Sequence, residues 1–599
     1  MRRSTLVLLA ALAALLILPS AAHAISFDKA VDRLVDRGYP QSIITKIRSH
    51  GTNSLGFWPG GTKANDQVAR YVAREMRAAG LKRVHLEPVP VDEWEMRGAW
   101  VKVNGRRMIA SQWGGVRGTP ERGLTGELVY VGTGSAAEIA AAGDVRGKVL
   151  LVDLDAYSWW PNYVQLEAKL AGARAMVLTH APFDNDPSAE YFTQLDALGC
   201  FDAETDYAGT PFVYVSRRNG DRLRAELAAA TEPVMATVKS DVKVRFADRG
   251  GRGFNVVGAI PGTTHKRQLV VVSAHHDAWF RAALDDTSAV GAALTMAKAM
   301  KMSGHRPERT IVFLITTAEE FGYTDAWYDW LVGSWWAITR AHKDWPGRVA
   351  GQVNLEWQGL REGWYQVRTN PEMVPWAQAV FDANPDLNPY GIEPGVGIRE
   401  QVFCWNDQWP FTAAGVPSIY LVTKSDDYRG MWYHTNYDVP SLMDWDYYAK
   451  NIKLASRFVD GLDDPSGGVL PYHFGSRATQ LAGTVDADGM IGRGVKEEVV
   501  QDFVADVDFF ARAAEDFDAG RDAVAPADKA AVNRKLMKVE KWLNRSMTAL
   551  DQWDSTVYPH EQVYADFAYL DDAVQAVDDL DKDAALAAVG SVGQVWIAQ

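Results

Sequence analysis

Residues 249–465 contain four apolar runs, each followed by side chains of the types that bind metal ions. The runs are 269–272, 311–315, 349–355 and 419–422, and the side chains that follow them are, in order, His275, Glu319 with Glu320, Glu356, and His434. Short apolar runs of this kind are typical of buried strands. Because the carboxyl ends of parallel strands meet at one edge of a sheet, we expect these side chains to converge there.

Asp285 adds a carboxylate to the same region. It begins the segment 285–288, Asp-Asp-Thr-Ser, ten residues after His275. Asp, Thr and Ser are preferred at the first position of helices, so this segment predicts a helix start. A carboxylate placed there can reach the crevice that His275 faces, and helix capping and metal binding are compatible at that position.

Together these residue types predict a two-metal site. Imidazole combined with carboxylate favours zinc over magnesium or calcium. Five ligands that include one shared carboxylate suit two ions about 3.5–4 Å apart, which activate a water molecule and polarise a carbonyl group. The predicted ligands are His275, Asp285, Glu320, Glu356 and His434. We therefore expect two zinc ions per chain.

Hydrolysis at such a site also needs a proton acceptor. Glu319 is the candidate general base, because two adjacent carboxylates can have separate roles. Glu320 would bind the metal while Glu319 faces the water. Asp277 is the candidate partner that orients His275. Each residue alone has a plainer interpretation, such as a hydrogen-bonded structural histidine or a solvated Glu-Glu turn. Only the joint pattern indicates chemistry.

The elements that must position these residues predict an α/β fold. Strand–helix alternation over 249–465 favours a mostly parallel mixed sheet with helices on both faces. Residues 25–95 begin with a similar pattern, including a helix over 65–79. Residues 96–248 contain short strands between alanine-rich helices and form a separate β/α unit. Residues 466–599 have a helical pattern without strands.

Length and charge narrow the possible functions. The chain has 599 residues and a formal net charge of −14 at pH 7. This length predicts about two to four domains. The acidic balance disfavours nucleic acid and anionic lipid surfaces as partners. The only cysteines are Cys200 and Cys404, which form either one disulfide or two separate thiols.

Residues 1–24 predict a signal peptide. Arg2 and Arg3 precede an apolar run, and Ala-His-Ala at 22–24 matches a cleavage pattern. The run is short for a membrane-spanning helix, although a retained anchor is the alternative. We expect a secreted or periplasmic protein with no stable membrane insertion after cleavage.

These motifs resemble the M28 family of zinc peptidases. The family patterns G-A/G-H-x-D, D-x-x-S-G, A-E-E-x-G and Y-H-T are similar to Ser-Ala-His-His-Asp at 273–277, Asp-Asp-Thr-Ser-Ala at 285–289, Ala-Glu-Glu-Phe-Gly at 318–322 and Tyr-His-Thr at 433–435. The resemblance implies a zinc exopeptidase fold in which Tyr433 steadies the tetrahedral oxyanion. The family usually has Asp in N-x-D where this chain has Asn-Leu-Glu at 354–356. Glu is one methylene longer than Asp, so this departure affects the geometry and occupancy of the second metal site.

The resemblance extends over nearly the whole mature chain. It implies a peptidase domain in two parts, 25–95 and 249–465, separated by a protease-associated (PA) domain at 96–248. Residues 466–599 resemble the helical domain that makes homodimers in the glutamate carboxypeptidase and transferrin receptor branch. We therefore expect a homodimer through 466–599.

The implied function is a secreted di-zinc exopeptidase that hydrolyses short peptides, most simply as an aminopeptidase or dipeptidase. A carboxypeptidase of the glutamate carboxypeptidase type is the alternative. It is disfavoured because Ile419 and Leu421 stand where that branch has arginines, which suit acidic substrates. A non-catalytic receptor and a single-zinc cyclase are further alternatives on the same fold.

Overall fold

The computed structural model describes residues 25–154, 161–180, 194–199, 207–324, 330–400, 405–463 and 468–548. The predicted signal peptide, both cysteines and the last part of the predicted helical domain, 549–599, lie outside these residues.

The described strands fall into two sheets. They are β1 (Lys82–Pro90), β2 (Glu93–Val103), β3 (Arg106–Ala110), β4 (Leu124–Tyr130), β5 (Val149–Leu154), β6 (Ala175–His180), β7 (Phe212–Tyr214), β8 (Met235–Arg245), β9 (Arg252–Ile260), β10 (His265–His275), β11 (Arg309–Thr316), β12 (Val349–Glu356), β13 (Trp364–Thr369) and β14 (Ser418–Lys424).

Helices precede, connect and follow these strands. The described α-helices are Phe27–Asp36, Tyr39–Arg48, Lys63–Ala78, Ala136–Ala141, Pro161–Leu170, Arg217–Ala229, Ala289–Ser303, Val332–Trp336, Val374–Asp382, Gln408–Ala414, Asp426–Met431, Trp445–Asp463, Phe474–Thr484, Ala487–Gly492, Glu497–Gly520 and Pro526–Thr548.

The first sheet has the order β1-β9-β11-β10-β12-β14-β13. Its four central strands, from β11 to β14, are parallel to one another, and the outer pairings are antiparallel. Val270 and Val272 of β10 pack into one hydrophobic cluster, while Leu269 and Val271 pack into another. Helices therefore cover both faces, which confirms the predicted α/β fold.

The second sheet has the order β3-β2-β8-β4-β5-β6-β7, and all its strands lie between residues 93 and 245. We refer to 93–245 as the insert. Its first strand, β2, pairs antiparallel with its last, β8, in the register Glu93 opposite Arg245. The chain therefore enters and leaves the insert at adjacent positions.

The helix Lys63–Ala78 shows how the sequence specifies these elements. The Thr62 hydroxyl accepts a hydrogen bond from the Asn65 amide, as expected of a helix cap. Val68, Val72 and Met76 repeat at helical spacing and are fully buried. Gly80, with φ of 90°, ends the segment in a conformation that favours glycine.

The part of the chain described after residue 467 is helical, and no strand occurs in it. On the helix Glu497–Gly520, Val500, Val507 and Ala514 are buried. Within the described ranges, no helix has both the length and the apolar character needed to cross a membrane.

Candidate metal centre

The structure brings the six predicted acidic and imidazole residues together at the carboxyl edge of the first sheet. His275 and Glu356 are the last residues of β10 and β12, and Glu319 and Glu320 follow β11. Asp285 lies in the turn before the helix Ala289–Ser303, and His434 follows the helix Asp426–Met431. All six side chains are buried.

Asp285 stands between the two histidines. Its Oδ1 is 3.3 Å from His275 Nε2, and its Oδ2 is 3.1 Å from His434 Nε2. Each carboxylate oxygen therefore faces a different imidazole, which is the arrangement required of a carboxylate shared by two ions. The Asp285–Asp286 peptide bond is cis.

Of the remaining carboxylates, Glu320 lies near His434, and Glu319 and Glu356 lie near His275. Glu320 Oε2 is 3.0 Å from His434 Nε2, and Asp285, Glu320 and His434 offer ligand atoms that all lie within 4.8 Å of one another. On the other side, His275, Glu319 and Glu356 form a second such group. Glu319 Oε2 lies 3.8 Å from His275 Nε2.

Asp277 holds the two neighbouring loops together. Its carboxylate oxygens accept hydrogen bonds from the backbone amides of Glu319 and Glu320, at 3.2 and 3.1 Å. His275 Nδ1 lies 3.1 Å from the Asp277 carbonyl oxygen and 3.7 Å from its carboxylate. The carbonyl is thus the nearer partner of the imidazole, and it leaves Nε2 directed towards Asp285.

Two carboxylates that sequence reasoning did not select fix the backbone around Asp285. Asp438 accepts hydrogen bonds from the amides of Leu284 and Asp285 and from the Tyr428 hydroxyl. Asp286 accepts from the amides of His275 and Trp357. The position of Asp438, four residues after His434, was the only sequence signal for its role.

Glu356 is oriented by two neutral donors. Its Oε2 accepts hydrogen bonds from the Tyr420 hydroxyl at 2.7 Å and from Asn406 Nδ2 at 2.9 Å. Its Oε1 is buried and has no hydrogen-bond partner among the residues that the structure describes. One oxygen is therefore fixed while the other is open to a cation.

The electrostatics of the site fit positively charged ions. Burial, together with Asp285 and Asp407, raises the pKa of Glu356 to about 8. Burial and the neighbouring Glu356 and Asp407 also raise the pKa of Glu319. In Asp285, hydrogen bonds to the two histidines outweigh burial and lower the pKa. So many buried carboxylates are costly unless cations compensate them, and the donor set of imidazole and carboxylate suits zinc.

Aromatic side chains surround the site. Tyr433 stacks on His434 with ring centroids 3.7 Å apart, and Trp357 packs 4.9 Å from Tyr433. Trp405 lies parallel to Trp330, with centroids 5.3 Å apart. Trp357 and Trp409 are both buried, 8% and 3% exposed, whereas Trp405 is partly exposed.

Comparison with known proteins agrees with this geometry. Residues 255–459 match the family model described as Peptidase family M28. These residues form an M28 domain. The match contains all six clustered residues, and the chain is therefore related to metallopeptidases.

Curated relatives match over parts of their length. Carboxypeptidase Q from Bos taurus is 26% identical over 275 residues, which cover 44% of this chain and 55% of that protein. A glutamate carboxypeptidase 2 homolog from Caenorhabditis elegans is 27% identical over 197 residues, covering 32% of this chain and 24% of that protein. The chain spans about half the length of the carboxypeptidase Q relatives it matches.

Solved structures share the fold. A peptidase M28 precursor from Shewanella amazonensis SB2B aligns with a TM-score of 0.56 at 20% identity, over 73% of this chain and 96% of that one. BSAP, a zinc aminopeptidase from Bacillus subtilis, aligns with a TM-score of 0.52 at 20% identity, over 70% and 94%. These likenesses support the fold of the M28 domain.

Proposed function

We propose that this protein is a di-zinc exopeptidase that hydrolyses short peptides, as an aminopeptidase or dipeptidase. The observation that carries the proposal is Asp285, whose two carboxylate oxygens face His275 and His434 separately. Glu356 completes the first side and Glu320 the second. When bound there, two zinc ions activate a water molecule and polarise the scissile carbonyl group.

The chain's own groups perform the proton transfers. Glu319 accepts a proton from the attacking water on its carboxylate and passes that proton to the leaving amine. Asp277 positions Glu319 by accepting a hydrogen bond from the Glu319 amide. Tyr433, fixed by stacking on His434, is the proposed hydrogen-bond donor to the developing oxyanion. Trp405 is partly exposed and precedes the Asn406 that contacts Glu356, and it favours apolar substrate side chains.

Cleavage at the amino end of peptides is the first candidate, because Ile419 and Leu421 stand where the glutamate carboxypeptidases have arginines that suit acidic substrate groups. The relatives named carboxypeptidase Q keep a carboxypeptidase as the second candidate.

The same proposal covers the rest of the chain. Residues 1–24 act as a signal peptide, so the enzyme is secreted or periplasmic. The unit predicted at 96–248 is a PA domain that partly covers the site, and 466–599 make a homodimer. Gel filtration with light scattering tests the last point, because a monomer at working concentrations would contradict it.

Metal content and hydrolysis test the function. We expect about two zinc ions per purified chain, and hydrolysis of aminoacyl anilides that chelation abolishes and zinc restores. Glu319→Gln should lower kcat by about 10²–10⁴-fold while both zinc ions remain bound. Glu515→Gln, an exposed substitution with the same change of charge, should leave kcat unaltered.

Three outcomes would contradict parts of this proposal. Activity that survives in Glu319→Gln removes that residue as the base. Hydrolysis of N-blocked dipeptides without hydrolysis of aminoacyl anilides indicates a carboxypeptidase. A wild-type chain that binds no zinc and cleaves neither substrate indicates a non-catalytic relative.

A further inference from the structure

The hydrophobic core of the insert contains side chains from outside the insert. Phe57, Trp279, Phe280 and Phe321 are buried in the same cluster as Trp94 and the other core residues of the second sheet. Trp279 and Phe280 follow β10, and Phe321 follows β11. The loops that leave these two strands at the metal centre therefore end in the core of the insert.

Trp94 of β2 is the insert residue at the centre of this contact. Its ring centroid lies 6.1 Å from that of Trp279 and 6.2 Å from that of Phe321, in edge-to-face arrangements. Its Nε1 donates a hydrogen bond of 2.9 Å to the Val116 carbonyl oxygen. The ring is therefore held within the insert and packs against both loops at once.

Both loops connect directly to the predicted metal-binding and catalytic residues. Phe321 is the residue after Glu320, and Trp279 is two residues after Asp277. Asp277 in turn accepts hydrogen bonds from the amides of Glu319 and Glu320. A displacement of either aromatic ring is consequently transmitted through one or two peptide units to Glu319 and Glu320.

Asp92 makes a second connection at the base of the insert. Its carboxylate accepts hydrogen bonds from the Ala247 amide and from the amide and hydroxyl of Thr324. Its own amide donates to the Gly322 carbonyl oxygen at 2.7 Å. The two chain crossings into the insert are thus tied to the loop that carries Glu319 and Glu320.

We infer that the insert positions the metal centre, with Trp94 as the positioning residue for Glu319 and Glu320. This inference rests on the proposed function of that centre. It assigns the insert a role in metal affinity and in the chemical step, through Trp279 and Phe321. Outward movement of the insert would loosen the carboxylates even though none of the five predicted ligands lies in the insert.

Gly114 offers a way to disturb this contact with a single methyl group. A Cβ built at Gly114 would lie 2.6 Å from Phe321 Cδ2 and 3.1 Å from Trp279 Cη2, which is too close for both rings to stay in place. Gly98 is a matched control in the same insert, because a Cβ there meets no atom within 4 Å. Neither glycine has a positive φ, so alanine is compatible with both backbones.

The experiment compares Gly114→Ala and Gly98→Ala with the full-length wild-type protein. Zinc affinity is measured by competition with a chromophoric chelator, and kcat and KM are measured on an aminoacyl anilide. We expect Gly114→Ala to bind zinc about 10–100-fold more weakly, as for changes to groups that orient metal ligands. We expect kcat to fall by a factor of up to about 100, with KM little changed. Gly98→Ala should behave as wild type.

Trp94→Phe provides a second test in case Gly114→Ala does not fold. It keeps an aromatic ring but removes the hydrogen bond to Val116, so a smaller loss of zinc affinity is expected, whereas Trp94→Ala should show the larger loss. Wild-type zinc affinity in Gly114→Ala and Trp94→Ala would overturn the inference. Absence of zinc binding by the wild type would instead overturn the proposed function.

Discussion

Glu356 carries its carboxylate one methylene further from the backbone than an aspartate would. Tyr420 and Asn406 hold Oε2 and leave Oε1 without a hydrogen-bond partner among the described side chains. The longer side chain is therefore fixed in one orientation by neutral donors. This arrangement allows Glu356 to serve where the resemblance leads one to expect Asp.

Tyr420→Phe should weaken the zinc ion on the His275 side. The substitution removes the 2.7 Å hydrogen bond to Glu356 and leaves the Asn406 amide as the remaining described donor to that carboxylate, which is then held less firmly. Loss of such a partner typically costs about 10–100-fold in metal affinity. Zinc titration against a chelator should show one site weakened and the other unchanged.

Tyr447→Phe is the matched control for this prediction. The Tyr447 hydroxyl is also buried and donates a 2.7 Å hydrogen bond, but to the Gly363 carbonyl oxygen. This variant should lose about 1 kcal/mol of stability and no zinc affinity. Equal zinc affinities for the two variants would show that Tyr420 does not orient Glu356.

The sequence predicts the residues of the site better than their supports. His275, Glu320 and Glu356 follow apolar runs that form strands, so their convergence is predictable from topology alone. Tyr420 reaches the site only through tertiary packing, and the only sequence signal for Asp438 is its position four residues after His434. Tyr420 lies inside a buried strand, where its sequence context resembles that of a core residue.

At the scale of elements, a buried polar cluster joins the C-terminal helices to the M28 domain. Arg477 of the helix Phe474–Thr484 donates to the Glu372 carboxylate at 2.8 Å and to Asn544 Oδ1 at 2.9 Å. Glu540 shares a hydrogen bond with Glu372, and burial and the charge of Glu372 raise the pKa of Glu540. The packing of these helices against Glu372 therefore favours the protonated form of Glu540.

This cluster makes the attachment of the C-terminal helices dependent on pH. A carboxyl with a raised pKa binds protons more tightly in the folded state, so its stabilising effect is complete below about pH 4.3, the ordinary pKa of Glu. The effect declines as the pH rises towards the raised pKa of the folded state. Glu540→Gln should reduce the fall of Tm between pH 6 and pH 9, measured by differential scanning calorimetry.

Glu498→Gln is the control for that measurement. Glu498 is 78% exposed on the helix Glu497–Gly520, so Glu498→Gln makes the same change of side chain at a position in contact with solvent. The Tm of this variant should follow the wild type across the pH range. An identical pH profile for Glu540→Gln would show that Glu540 is ionised in the folded protein.

Strands were predictable from the sequence where nearly every residue along the strand is buried. The strands β5, β6, β10, β11 and β12 are almost wholly buried and appear in the sequence as apolar runs. The strand β2 has alternating buried and exposed residues, with charged side chains on the open side, and did not stand out. The strand β8, which pairs with β2, alternates in the same way and was not predicted from the sequence for the same reason.

At the scale of the molecule, the metal centre joins segments that are distant in sequence. Its five predicted ligands extend from His275 to His434 and lie on three strand ends and two loops. Without cations, several buried carboxylates face one another across this crevice. Bound zinc therefore stabilises the packing of the whole M28 domain as well as the site.

Removal of zinc should lower the thermal stability of the protein. A ligand present at 100 times its Kd stabilises the folded state by about 2.7 kcal/mol. For a domain of this size, each kcal/mol corresponds to about 2–4 °C, so Tm should fall by about 5–10 °C on chelation. Zinc should restore Tm, whereas magnesium should not, because magnesium prefers oxygen ligands. Full restoration by magnesium would contradict a role for His275 and His434.

The edge pairing of β1 with β9 has a consequence for the order of folding. The whole insert lies between these two strands, so bringing them together directly would require closing a very long loop. Once β2 and β8 have paired, the ends of the insert are adjacent and only short connections remain. During synthesis from the amino terminus, β1 therefore remains unpaired until the insert has folded. The folding rate of the insert determines how long the unpaired edge of β1 is exposed to aggregation.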